Sequence, residues 1–346
     1  MRPVQNPPNP FDSVEREWLD APPDVRLEVY EETAKSILSE NDSPDIPFRW
    51  SVNPYRGCFH ACAYCYARPT HEYLGFGAGT DFESKIVVKT NAAVLLREAF
   101  LKPSWKGEVV VFSGNTDCYQ PVEAIWHLTR ACLETCAEFR NPVGVITKSV
   151  LVQRDLDVLV RLQQQARVQV FFSIPFADDA TARLIEPQAP AISRRFEAMR
   201  QLAAAGIPVG VSVAPLIPGL NDDDIATVLE RARDAGATEA SYTLLRLSGS
   251  VQKVFLERIA AALPGRARRI ENRIREVRGG DLTNPGFFQR QRGDGIYWTM
   301  IEDQWRLHSR RLGFETQRVG TGRNAPTTFR RPGTVTQASL FGEAAP

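Results

Sequence analysis

Between Phe48 and Leu247, six short runs of β-branched and aromatic residues alternate with helix-length amphipathic segments, which limits the chain to a parallel α/β fold. The candidate strands are residues 49–53, 108–113, 143–147, 168–174, 208–214 and 239–244. Helix signals fall between them: Pro121 at a first turn, Asp155 and Asp178 near helix starts, Gly206 and Gly236 after helix ends. Six strands so spaced suggest a six-unit (β/α) barrel, although periodicity alone does not choose between a barrel and a flat doubly wound sheet. In either fold, ligands bind at the C-terminal ends of the strands.

The outer segments read differently. Residues 1–45, rich in Pro and acidic groups, predict an extended arm with one short helix over 25–38, and the α/β core runs from 46 to 247. Residues 248–315 predict a small helical cap with helices over 251–263, 266–278 and 297–312, and the Gly- and Pro-bearing tail 316–346 reads as disordered. Net charge is only +1, but from Arg246 onward there are 18 Lys/Arg against 9 Asp/Glu, so the cap and tail are basic and suit an acidic partner such as nucleic acid. No apolar run approaches the roughly 20 residues of a membrane span.

Residues 53–68 read Asn-Pro-Tyr-Arg-Gly-Cys-Phe-His-Ala-Cys-Ala-Tyr-Cys-Tyr-Ala-Arg, placing Cys58, Cys62 and Cys65 within eight residues just after the first candidate strand. Thiolates so spaced can converge on one metal centre. Three cysteines on a four-iron cluster leave one iron open, and an open position separates a reactive metal site from a closed structural one. Zinc is the alternative, with His60 as a fourth ligand, but four ligands inside eight residues are cramped, and structural zinc sites use two separated pairs. With six cysteines in 346 residues and no apolar segment at the start, a reducing, cytoplasmic setting fits better than a disulfide scaffold.

The Cys-x3-Cys-x2-Cys spacing, with Tyr64 before the last cysteine and Tyr66 after it, resembles the signature of radical S-adenosylmethionine (radical SAM) enzymes. The resemblance implies a partial (β/α)6 TIM-like barrel and a 4Fe-4S cluster on Cys58, Cys62 and Cys65. It also implies SAM chelated to the open iron, with Tyr64 beside the adenine, and an electron donor of the flavodoxin or ferredoxin type. One electron then cleaves SAM to methionine and a 5'-deoxyadenosyl radical that abstracts hydrogen from a substrate. The remaining strand ends agree with the spore photoproduct lyase branch. Asn115, Thr116 and Asp117 are expected at the SAM amino group, Lys148 and Ser173 at its carboxylate or ribose, and Leu216 and Ile217 on the base. Helix capping is the competing reading of Asn115 to Asp117, and a rigid loop that of 214–222.

One departure concerns chemistry. In the lyase, a cysteine three residues before the second strand's Asp returns hydrogen to the product, and Gly114 stands at that position here. Cys118 is the candidate replacement donor, with a small buried thiol as the competing reading. Cys132 and Cys136, at i and i+4, read as core residues. In the tail, Gln337-Ala-Ser-Leu-Phe341 resembles the short peptide with which bacterial repair proteins dock on the DNA sliding clamp. Two other classes stay open at this stage, an iron–sulfur redox sensor without turnover and a zinc-stabilised DNA-binding module.

Overall fold

The computed structural model describes residues 26–314 and 326–332. Ten strands are present: β1 (Glu28–Glu32), β2 (Leu38–Glu40), β3 (Trp50–Val52), β4 (Tyr55–Arg56), β5 (Lys85–Lys89), β6 (Val110–Phe112), β7 (Val143–Thr147), β8 (Val168–Ser173), β9 (Val209–Leu216) and β10 (Glu239–Leu244). Strands β3, β6, β7, β8, β9 and β10 run parallel in chain order, and β2 pairs antiparallel with the free side of β3. Among the described residues no ladder joins β10 back to β3. The six expected runs thus build a wall of six βα units that is open at one side.

The alternation of side chains explains the layers. Val110, Phe112, Val145, Val170, Phe172, Val211 and Val213 point to the face covered by helices and join one buried cluster with Leu133, Leu159, Leu162, Met199 and Leu229. The opposite, concave face is tight. A Cβ added at Gly210 would stand 2.6 Å from the ring of Phe171, so the fully buried phenyl group fills the space that a side chain on β9 would need. Two residues further along the same face, Ser173 and Ser212 pair in register and line an open cleft.

Two expectations at the chain ends are corrected. Residues 28–32 and 38–40 form β1 and β2 where a helix was expected over 25–38. Strand β1 lies parallel to β5 in a second, three-stranded sheet, with Glu28 opposite Lys85 and Glu32 opposite Lys89, so pairing with a distant strand outweighs local helix propensity. Within the tail, residues 326–332 are packed. Phe329 stacks on Phe139 and edge-on to Phe100, while Arg331 donates to the carbonyls of Phe100, Lys102 and Trp105. Partial burial of the Phe329 ring, together with the carbonyl bonds of Arg331, holds this segment against the core. The clamp-like peptide 337–341 lies outside the described residues.

The expected cap helices form at Val251–Ala262, Ala267–Glu276 and Gly295–Arg311. The last of these packs along helix Ile225–Asp234 and sets Trp298 and Trp305 against Tyr242 of β10, so it flanks the edge strand. No helix among the described residues is long and apolar enough to cross a membrane.

Candidate active site and cluster-binding loop

The loop that carries the three cysteines is shaped by backbone chemistry before any ligand is considered. Gly57 has φ +76°, and a Cβ there would meet the carbonyl oxygens of Lys85 at 2.9 Å and Phe82 at 3.0 Å, so only glycine lets the chain pass this close. The next N–H, that of Cys58, donates to the Phe82 carbonyl at 2.9 Å. The Ala61 and Cys65 N–H groups then donate back to the Cys58 and Cys62 carbonyls, each at 3.3 Å, coiling the three thiols toward one side.

Arg68 holds the coil from behind. Its guanidinium is fully buried and donates to the carbonyls of Cys62 (2.7 Å), Ala78 (2.9 Å) and Gly79 (3.0 Å) and to the Glu83 carboxylate (2.5 Å). Glu83 is also fully buried and takes a second guanidinium, Arg258 from the cap helix, at 2.6 and 2.8 Å, and Arg258 reaches on to the Ala61 carbonyl at 3.3 Å. This Arg–Glu–Arg triad ties the cap to the cysteine loop. Sequence reasoning missed it, because a contact between residues 83 and 258 leaves no local signal. The one available hint was an arginine three residues after the last cysteine.

Cys58, Cys62 and Cys65 line a single cleft of about 840 Å³ together with Tyr64, Asn115, Thr116, Asp117, Lys148 and Ser173. Burial, with Asp117 and the other two thiols nearby, pushes Cys58 well above the usual thiol range. Burial also pushes Cys62 up to about 12 against the pull of Lys148, and raises Cys65 although Arg68 opposes it. Thiols in this state become good ligands when a metal takes their protons. Among the described residues no three His, Cys, Asp or Glu side chains come close enough to share one ion. Structural zinc uses four donors around a single ion, whereas a four-iron cluster takes one thiolate on each of separate irons, so three thiols on one short loop suit a cluster with one open iron.

The polar strand ends are engaged to different degrees. Asp117 accepts from the Thr147 hydroxyl (2.7 Å), the Lys148 N–H (2.8 Å) and the Tyr119 N–H (2.9 Å), and His60 Nδ1 stands 3.4 Å away. Burial alone would raise its pKa, but His60 and these donors hold it at about 2. It therefore ties the ends of β6 and β7 together. The Thr116 hydroxyl donates to the Tyr55 carbonyl at 2.8 Å, and the Asn115 amide nitrogen contacts the Thr70 hydroxyl at 3.4 Å. The Ser173 hydroxyl donates to the Ala214 carbonyl at 3.1 Å. Lys148 Nζ lies 5.6 Å from the centre of the Tyr64 ring. Burial works against its charge, but Cys62 and Glu186 outweigh this and raise its pKa. The Tyr64 hydroxyl donates to Glu186, which pairs with buried Arg195 at 2.5 Å, and Arg195 donates to the Ser173 carbonyl at 2.9 Å.

Three expected site residues stand elsewhere. Leu216 and Ile217 are fully buried in the core and are not on the cleft wall, where Ala214 and Pro215 of the same strand stand instead. Leu216 sits opposite Leu244 beyond a register shift at Ala214 and Pro215, so the two-residue alternation that holds Gly210 and Ser212 on the concave face does not carry through to it. Cys118 is 1 % exposed and also off the wall; its N–H donates to the Ser113 hydroxyl and its carbonyl accepts from Thr129, so the role of hydrogen donor does not suit its place. Cys132 and Cys136 are fully buried core residues.

The chain is 37% identical over 265 residues to an uncharacterised protein of Mycobacterium tuberculosis, covering 75% of this chain and 77% of that protein. It is 24% identical over 211 residues to a radical SAM Nalpha-GlyT isomerase of a Pseudomonas phage, covering 60% of this chain and 42% of the isomerase. Its fold is similar to that of spore photoproduct lyase complexed with dinucleoside spore photoproduct, with a TM-score of 0.59 at 15% identity over 83% of this chain and 80% of the lyase. The sequence profile of the radical SAM superfamily matches residues 52–232, and the chain belongs to that superfamily.

Proposed function

We propose that this protein binds a 4Fe-4S cluster through Cys58, Cys62 and Cys65 and uses it to cleave SAM reductively in the same cleft. The observation that carries this reading is the meeting of three thiols, those of Cys58 and Cys62 buried and that of Cys65 partly so, with Asn115, Lys148 and Ser173 on one cavity wall. When bound, the cluster and SAM supply an electron and a carbon–sulfur bond whose breakage yields methionine and a 5'-deoxyadenosyl radical.

The chain's own residues have positioning tasks. The Lys148 ammonium, which makes no side-chain hydrogen bond among the described residues, is available to a carboxylate. The amide oxygen of Asn115 is available to an ammonium. Asp117 fixes Lys148 through its N–H, and the Glu186–Arg195 pair fixes Tyr64 and the end of β8, so the pocket is organised before SAM arrives. Ala214 and Pro215 replace Leu216 and Ile217 as the adenine-side surface.

Nucleic acid is the proposed substrate class. The basic segment after Arg246 supports it, as does the fold shared with a lyase that binds a dinucleoside. The electron comes from a flavodoxin- or ferredoxin-type donor, the setting is cytoplasmic, and residues 337–341 are proposed to dock on a sliding clamp. Loss of clamp binding on deleting 337–341 supports docking, and unchanged binding contradicts it.

Anaerobic reconstitution with iron and sulfide tests the cluster. About four irons and four sulfides per chain, with an electron paramagnetic resonance signal that shifts on adding SAM, are expected. Colourless protein carrying zinc, or a cluster signal indifferent to SAM, overturns the reading.

A further inference from the structure

The cleft extends well past the SAM-side residues. It runs along β10 to helix Gly295–Arg311, where Arg246, Arg292, Arg306 and Arg310 line it. Arg306 is paired with Asp303 at 3.0 Å, but among the described residues the guanidinium groups of Arg246, Arg292 and Arg310 make no hydrogen bond or ion pair. The acids on the same wall are already engaged. Asp45 binds Arg290, Asp117 holds the β6 and β7 ends, and Glu302 accepts from the Tyr242 hydroxyl at 3.2 Å. An excess of positive charge therefore faces the cavity.

The backbone that presents these arginines is built. Arg278, 7 % exposed, donates to the carbonyls of Leu245 (2.8 Å), Gln289 (2.9 Å), Arg290 (2.9 Å) and Arg292 (3.0 Å). The Leu244 N–H adds a bond to the Gln291 carbonyl at 3.1 Å. Two separate segments, one ending in Arg246 and one in Arg292, are thereby clamped side by side. Burial and the neighbouring Arg290 depress the Arg246 pKa, a cost that a bound anion offsets.

We infer that Arg246, Arg292 and Arg310 form a phosphoryl-binding subsite that holds the backbone of the substrate while its reacting group reaches the SAM side of the cleft. This rests on the proposed function, because it assigns that enzyme's substrate to a place. A guanidinium fork matches two phosphate oxygens at once. Tyr66, 49 % exposed, lies on the cleft wall between the arginines and the cysteines and offers a ring face for a base. The ligand is therefore a short single-stranded stretch of nucleic acid, with a free nucleotide as the other source of the same phosphoryl chemistry.

The test is fluorescence anisotropy of a short labelled oligothymidylate on the full chain across a salt series, without SAM or reductant, so that failure of the SAM chemistry leaves the readout untouched. Arg292→Ala/Arg310→Ala is expected to weaken binding tenfold or more and to flatten the log–log salt dependence by about 1.4, at roughly 0.7 for each single-strand phosphate that is no longer neutralised. Arg246→Lys, which preserves the charge and the fold, is expected to weaken binding less than the double variant does. Competition by thymidine monophosphate at concentrations similar to the oligonucleotide assigns the subsite to one phosphate of a free nucleotide, and weak competition assigns it to a strand; both support a phosphoryl subsite. Unchanged affinity and salt slope in the double variant overturn it, as does an equal loss in Arg268→Ala/Arg269→Ala on helix Ala267–Glu276, away from the cleft.

Discussion

A Cβ on Gly114 would lie 2.7 Å from the Cβ of Ser51 and 2.9 Å from its hydroxyl, so the end of β6 passes β3 too closely for any side chain at position 114. The glycine that departs from the lyase pattern is thus required by packing. Gly114→Ala is expected to cost about 1–3 kcal/mol, most of it regained in Gly114→Ala/Ser51→Gly. Urea unfolding of the anaerobic protein checks this, and an alanine variant as stable as the parent contradicts it. A cysteine at position 114 faces the same obstacle.

Glu83 is the only anion in the buried triad that holds the cysteine loop. Glu83→Gln leaves Arg68 and Arg258 facing each other without a counter-charge, and a loss of about 3–5 kcal/mol is expected. Arg258→Met, which leaves the Arg68–Glu83 pair, should cost less. Because Arg68 also carries the Cys62 carbonyl, iron retained after reconstitution should fall further in Glu83→Gln than in Arg258→Met. Equal stability and iron content in both variants would contradict the role of the triad.

Lys148 should act on SAM and not on the cluster. Lys148→Met removes a charged partner worth about 1.5–3 kcal/mol, so the SAM dissociation constant is expected to rise about tenfold to a hundredfold while iron content stays near that of the parent. Equilibrium dialysis with labelled SAM reads this directly. Unchanged SAM affinity would place the ammonium outside the ligand's reach.

The ion pair Asp45–Arg290 sets a pH dependence. Burial opposes the Asp45 charge, but Arg290, the Ser43 hydroxyl and the Phe288 N–H outweigh it and lower the pKa to about 2. A carboxylate depressed in the folded state contributes stability that is fully present above its unfolded pKa, near 3.9, and is lost as pH falls toward 2. Asp45→Asn should therefore lower the melting temperature at pH 6, and the gap from the parent should shrink between about pH 4 and pH 2. A gap that is constant with pH would contradict this.

Much of the core could be read from the chain alone, for identifiable reasons. The runs at 143–147 and 239–244 become β7 and β10 residue for residue, because segments of that length between helix signals, β-branched in the first and following the Gly236 stop in the second, admit few alternatives. The cysteines and Lys148 were legible as a set because each sits where a strand ends. Leu216 and Ile217 were misplaced because the register of β9 shifts at Ala214 and Pro215, an irregularity that no motif displays. Strand β5 was missed although Ile86, Val87 and Val88 announce it, since its partner β1 lies more than fifty residues earlier in the chain. The arginine wall was visible only as a charge excess; that Arg246 and Arg292 stand together depends on Arg278, which bridges distant segments.

The central claim is that the three thiols and the cleft around them cleave SAM. It is tested most directly by assaying 5'-deoxyadenosine after anaerobic reconstitution and reduction with dithionite in the presence of SAM, alongside Cys58→Ala/Cys62→Ala/Cys65→Ala. Deoxyadenosine formed by the parent and absent from the variant is the predicted result. A reconstituted cluster that binds SAM yet never yields deoxyadenosine, or equal yields from parent and variant, would contradict it.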